Sequence, residues 1–247
     1  MSPHDDATSA HQAGTPPAAR LGHRDEWRAA RLALLEREKE LTRLRDDLAA
    51  ERRRLPWVRL DKQYEFDGPD GRVQMRDLFG GHRQLIVYHF MFGPGWGEGC
   101  PLCSFWADSF SAMPIHLAHR DTSLVAVSRA SFPEIEAYRQ RMGWSLRWYS
   151  SAPGDFNYDF GVSASPDQRL RGSEYNFRHV DQPMEESPGL SVFVTTDQGE
   201  IFHTYSTYSR GLDAINSGYQ LLDLTPMGRD ENGLPWTMAW VRRHDAY

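Results

Sequence analysis

Lysine is almost missing from this chain. Of 28 basic residues only Lys39 and Lys62 are lysines, a genome-level arginine bias that strips arginine counts of functional meaning. No apolar run approaches the ~20 residues needed to cross a bilayer, which excludes a membrane-spanning helix. No long basic cluster interrupts a net charge of −6, which argues against a nucleic-acid partner. The densest basic run, Arg52-Arg53-Arg54, closes a charge-mixed helix and reads as its solvated end. The start, Met1-Ser2-Pro3-His4-Asp5-Asp6, lacks a basic segment followed by an apolar core. A soluble, cytoplasmic protein is therefore expected, and no internal repeat is visible. Cysteine is as scarce as lysine, 2 in 247 residues, and both fall in Cys100-Pro101-Leu102-Cys103. In a reducing compartment a structural disulfide is not expected, so a lone C-x-x-C points to redox turnover or to a metal.

What is present supports a folded body, with 40% hydrophobic and 12% aromatic residues. Residues 1–20 are rich in Ala, Pro, Ser, Gly and Asp without periodicity and read as a disordered tail. Residues 21–55 carry a long charged helix, free of Gly and Pro from Arg24 to Arg54 and ended by Pro56. Trp27, Leu34, Leu41 and Leu48 recur every seven residues along it, with Leu35 and Leu44 beside them and Arg31, Glu38 and Arg45 at the companion positions. Such a narrow stripe suits packing on the chain's own domain, with a homodimer through residues 24–54 as the other reading.

Residues 56–247 form the expected main domain. Tyr64–Phe66 and Arg72–Met75 flank a Gly/Asp turn and predict a hairpin. Leu85–Phe92, apolar on both faces, predicts a central strand. A glycine-rich loop, residues 93–99, then delivers the chain to Cys100. A helix is expected from Pro101 to Ala118, kinked or stopped early by Pro114. A strand at Thr122–Ser128, a helix at Pro133–Met142 and a short strand at Trp144–Tyr149 follow. Residues 151–188 show no period and read as irregular, with a helical or strand turn near Phe156–Phe160. Leu190–Thr195 and Glu200–Tyr205 read as paired strands around Asp197-Gln198-Gly199, and Leu212–Leu222 as the last helix. From Pro226 onward Trp236, Met238, Trp240 and Val241 predict a tail packed on the body. The order, βαβ followed by ββα, is that of an α/β thioredoxin-like fold, a central mixed sheet flanked by helices. The leading hairpin resembles the one on peroxiredoxins.

A cysteine between a strand and a helix N-terminus meets unpaired N–H groups and the positive end of the helix dipole, both of which stabilise a thiolate. Cys100 is therefore the expected attacking thiol, and Cys103, one turn on and more buried, the resolving one. Pro101 suits the first helical turn, whereas Glu98 nearby would raise the Cys100 pKa. Two inert buried cysteines, or a metal pair, are the competing readings. Zinc would want two further ligands, and His116 and His119 do not complete an established pattern, so neither a metal nor a cofactor is assigned. Pro188, just before the Leu190 strand, is the position where this fold carries a cis proline facing the cysteines, although a plain Pro-Gly turn explains it equally. Strand alternation puts His203 and Tyr205 on one face. If that face borders the cysteine helix, His203 becomes a proton shuttle and Tyr208 or Arg210 an anion binder; an ordinary sheet edge is the alternative. Trp96 either shields the thiols or anchors its loop.

The segments Gly99–Asp108, Asp155–Phe160, Phe202–Gly211 and Leu222–Pro226 resemble a bacterial thioredoxin-like family of uncharacterised function, sometimes labelled dithiol-disulfide isomerases. The resemblance spans roughly residue 25 to the end and implies a thioredoxin fold. Pro101-Leu102 departs from the Gly-Pro of thioredoxin itself, which leaves the redox potential open. A thiol–disulfide oxidoreductase acting on a protein or small-molecule disulfide or dithiol is the expected function. The alternatives are a peroxiredoxin-like peroxidase, against which Gly97 stands where a Thr or Ser is usual, and a redox-sensing or metal-carrying binding protein.

Overall fold

The structure, a computed structural model, describes residues 21–247, so the tail expected over residues 1–20 lies outside the described residues. Helix α1 (Arg24–Arg52) leads into strand β1 (Val58–Arg59) and the hairpin of β2 (Glu65–Gly68) and β3 (Gly71–Gln74). After a 3-10 turn at Met75–Phe79 come β4 (Gln84–His89), α2 (Pro101–Phe110), α3 (Met113–Ala118), β5 (Thr122–Ser128), α4 (Phe132–Arg141) and β6 (Arg147–Ser150). The remainder holds α5 (Phe156–Asp159), α6 (Pro166–Arg171), β7 (Ser173–Tyr175), β8 (Arg178–Val180), β9 (Gly189–Thr195), β10 (Ile201–Tyr208) and α7 (Ser217–Leu222).

Eight strands form one mixed sheet in the order β1-β10-β9-β4-β5-β6-β2-β3. Its heart is β4 paired parallel to β5 and antiparallel to β9, with β10 antiparallel beyond β9. This is the thioredoxin-like arrangement, here widened by the leading hairpin and carrying a long N-terminal helix. Alternation along β4 feeds two cores. Leu85 and Val87 join Phe66, Leu78, Val125, Phe156 and Phe193 on one face. Ile86 and Tyr88 join Cys103, Trp106, Tyr138 and Tyr219 on the other, under α2, α4 and α7. A strand buried on both faces has no room for polar alternation, which is why its sequence reads as one apolar run.

The helix expected from Pro101 to Ala118 stops at Phe110 and restarts at Met113, with Pro114 in the first turn of α3. Proline is tolerated there because the first-turn N–H has no intrahelical partner. The expected final helix begins as a 3-10 segment, Ser209–Ile215, and becomes α7 only after Asn216, whose side chain caps it. Residues 151–188 contain more order than their composition suggested. Besides α5 and α6, β7 and β8 form a hairpin whose two turn residues, Asn176 and Phe177, both have positive φ. Glycine usually marks such a turn, and Phe177 hides it.

The leucine stripe of α1 does not pack on the chain's own body. No residue of α1 is buried, and Trp27, Leu34, Leu41, Leu44 and Leu48 all stand exposed. The tail, by contrast, folds back. Val241 is buried, and Met238 and Trp240 pack against the core on the cysteine side. Among the described residues, no helix is long and apolar enough to cross a membrane.

Candidate active site

Cys100 is the N-cap of α2, with Pro101 at the first helical position. The loop before it is drawn closed by Cys100 N–H donating to the Met91 carbonyl (3.0 Å), just beyond the end of β4. Met91 N–H in turn points at Cys103 Sγ (3.5 Å), so one residue past the strand engages both cysteines. Gly99 is required by close approach: a Cβ there would lie 2.7 Å from the rings of both Phe90 and Tyr138. Cys100 is half-buried and Cys103 buried, and both are free thiols. Tyr88 holds the helix from beneath, its hydroxyl donating to the Cys103 carbonyl (3.2 Å). The Ser104 hydroxyl donates to the Cys100 carbonyl (2.9 Å) and lies 2.9 Å from the Tyr138 hydroxyl.

The two thiols are electrostatically unequal. Cys100 is lowered to about 7, first by a hydrogen bond from the Cys103 thiol, then by the Cys103 and Leu102 backbone N–H groups and the Arg243 charge, all against the cost of burial. Cys103 is pushed well up, chiefly by burial and then by its partnership with Cys100. One sulfur is thus poised as a thiolate near neutral pH while the other holds its proton, the division of labour expected of attacking and resolving thiols.

Arg243 is a site residue that the sequence did not advertise. It arrives from the C-terminal tail, 144 positions beyond Gly99, and donates to the Gly99 carbonyl through Nη2 (2.8 Å) and Nε (3.2 Å). Nε also donates to the Tyr138 hydroxyl (3.0 Å). Its Nη1 pairs with Glu98 (3.0 Å), which Arg141 also engages. Glu98 was expected to raise the Cys100 pKa; two guanidinium groups instead offset its charge and hold its own pKa low.

The expected accessory residues scatter. Trp96 is partly exposed and folds over its own loop: a Cβ on Gly93 would meet the indole at 2.7 Å. The Ser187–Pro188 bond is trans, since the described residues contain no cis peptide. The segment before Pro188 is held straight by Ser187 N–H donating to the Val162 carbonyl (2.7 Å) and by the bridge of Ser163 with Glu186. The Pro188 carbonyl accepts from the Tyr175 hydroxyl (2.7 Å), which also accepts from Ser209 N–H (3.2 Å). Burial pushes the Tyr175 phenol up, with a smaller push from Cys103. This tyrosine, carried by the hairpin that Phe177 disguises, had no signal in the sequence.

His203 and Tyr205 do not share a face. The β10 register shifts between them, so that His203 pairs with Phe193 and Tyr205 with Val192. Adjacent residues of β9 point to opposite faces, and one extra residue in β10 therefore flips everything beyond it. His203 lies on the face away from α2, against Phe160 and Phe193. There it closes a buried polar row: His203 Nε2 to Ser206 Oγ (2.7 Å), Ser206 to Ser191 (2.8 Å), Ser191 to His89 Nε2 (2.8 Å). Burial keeps both histidines neutral, His89 at about 3 and His203 lowered. Tyr205 lies under the Arg52 guanidinium (5.5 Å), the buried Tyr208 donates to the Phe160 carbonyl (3.1 Å), and the exposed Arg210 pairs only with Asp213. None of these four bonds to either cysteine. Among the described residues, no cluster of three or more His, Cys, Asp or Glu is arranged to hold a metal.

A family described as a bacterial protein of unknown function (DUF899) matches residues 16–247. The chain belongs to that family. No curated protein matches it. Among solved structures it is similar to a peroxiredoxin Q mutant from Xanthomonas campestris (14% identity, 64% of this chain and 90% of that one, TM-score 0.41). It is likewise similar to peroxidoxin BcpB from Mycobacterium tuberculosis (15% identity, 66% and 93%, TM-score 0.43).

Proposed function

We propose that this protein is a thiol–disulfide oxidoreductase working through Cys100 and Cys103. The observation that carries the reading is the asymmetry of the pair: a half-buried thiol at a helix N-cap lowered to about 7, beside a buried thiol pushed up. The Cys100 thiolate attacks one sulfur of a disulfide substrate, forming a mixed disulfide and expelling the other sulfur as a thiolate that takes a proton from solvent. Cys103 loses its proton and attacks Cys100 Sγ. This closes the Cys100–Cys103 disulfide and releases the second substrate thiol. Two electrons pass from protein to substrate, and the reverse sequence oxidises a dithiol. Both cysteines are free here, and a pair that cycles in this way suits a reducing compartment such as the cytoplasm.

The test is turnover of a small aromatic disulfide by the reduced protein. Cys100→Ser abolishes release of the thiol, whereas Cys103→Ser stops at a mixed disulfide of 1:1 stoichiometry, visible as a mass increment on Cys100. Full activity in Cys100→Ser refutes the reading. A peroxide arm separates the peroxidase alternative: oxidation of Cys100 to sulfenic acid faster than its reaction with disulfide favours that chemistry instead.

A further inference from the structure

The exposed stripe of α1 needs a partner. A 29-residue helix with no fully buried residue gains little from tertiary packing beyond contacts such as Arg52 over the Tyr205 ring, and isolated helices are marginal in water. Five of its seven large apolar residues nevertheless fall on one line, with Trp27 64%, Leu34 50%, Leu41 47%, Leu44 55% and Leu48 41% exposed, while Leu32 and Leu35 lie off it. We infer that α1 pairs in parallel with α1 of a second copy of this chain as a two-stranded coiled coil. This inference is independent of the redox reading.

The flanking charges choose the occupant and its direction. With Trp27, Leu34, Leu41 and Leu48 at heptad position a, position d holds Ala30, Arg37, Leu44 and Glu51. In a parallel pair, each g residue faces the e residue five positions further along the other helix. The facing pairs are then Glu26 with Arg31, Ala33 with Glu38, Glu40 with Arg45 and Asp47 with Arg52 of the second copy. Three of the four are acid against base, and none joins like charges. An antiparallel pair would instead set g against g, gathering Glu26, Glu40 and Asp47 from both copies on one flank. Within one chain the e flank is already ordered, Arg31 bridging Glu38 at 2.7 Å. Glu51 ends the apolar seam and Arg37 interrupts it. The long stem of Arg37 carries the guanidinium out to water, and a polar seam residue costs stability while fixing register.

The experiment is sedimentation equilibrium on the reduced full-length chain, with four-way comparison of wild type, Leu41→Asp, Glu40→Arg and the double exchange Glu40→Arg/Arg45→Glu. Wild type is expected at twice the chain mass, and Leu41→Asp at the monomer mass with an unchanged far-ultraviolet spectrum of the body. Glu40→Arg, which turns two symmetric attractions into repulsions, weakens the dimer about tenfold or more, and the double exchange restores it. A wild-type monomer at about 50 µM overturns the inference. So does a Leu41→Asp dimer, which would use another surface. Tightening by Glu40→Arg, or no rescue by the double exchange, overturns the parallel arrangement.

Discussion

Removing the Arg243 charge should move the reactivity of Cys100 along the pH axis. The guanidinium is a cation that helps hold the Cys100 pKa down, it grips the carbonyl just before Cys100, and it also offsets Glu98. A unit charge in the second layer around a thiol, at an effective dielectric near 20, is worth on the order of 1–2 kcal/mol, or roughly one pKa unit. Arg243 is partly exposed, with 21% of its side chain open to solvent, and shares its charge with Glu98, so about half a unit to one unit is expected for Arg243→Met. With the pKa moved from about 7 to about 8, the thiolate fraction at pH 7 falls from about one half to about one tenth. Each thiolate becomes roughly threefold more nucleophilic, because nucleophilicity rises with pKa. The net effect is a rate about half that of wild type at pH 7 and above wild type beyond about pH 7.5. Iodoacetamide alkylation of the reduced protein, followed by mass spectrometry at Cys100 across pH, reads this crossover directly. Arg243→Lys retains the charge but loses the two-pronged grip on Gly99, so its midpoint should stay near wild type. Superimposable profiles for wild type and Arg243→Met, or a midpoint that falls, would refute the electrostatic role.

Two further outcomes follow from packing and linkage. Gly99→Ala drives a methyl against two fixed rings at 2.7 Å and should cost about 1–3 kcal/mol in denaturant unfolding, with the Cys100 alkylation profile displaced because the clamp on the loop shifts. Glu186 is buried and raised from 4.5 to about 7, chiefly by desolvation, against the Ser163 and Arg129 contacts that favour its charge. The folded state therefore binds this proton more tightly than the unfolded chain. Its contribution is fully present below about pH 4.5 and is lost as pH rises through about 7. The stability difference between wild type and Glu186→Gln should change sign-consistently over that window, wild type losing relative stability as pH rises; a pH-independent difference would contradict the assignment.

Local pattern carried much of this molecule. The both-face apolar run became β4, the Gly/Asp turn became the β2–β3 hairpin, and Thr122–Ser128 is β5 residue for residue. These features are legible because each depends on a strand's own periodicity or on a turn's own backbone demand. The β7–β8 hairpin was hidden for the same reason, since Phe177 occupies a positive-φ position where glycine would have marked it. The short spacing of Cys100 and Cys103, together with Pro101 at the first turn, likewise announced the helix start at which the pair sits.

The sequence by itself determined the two thiols, their placement between strand and helix, and the succession of elements along the chain around them. Only the tertiary structure decided their company. A single bulge in β10 put His203 and Tyr205 on opposite faces, because one added residue reverses a strand's faces. Arg243, remote in sequence, was brought against Gly99 by a tail whose apolar residues bury on the cysteine side of the sheet. Periodicity reports which residues a segment buries, whereas the pKa of a thiol depends on charges that meet it only after the chain has closed on itself.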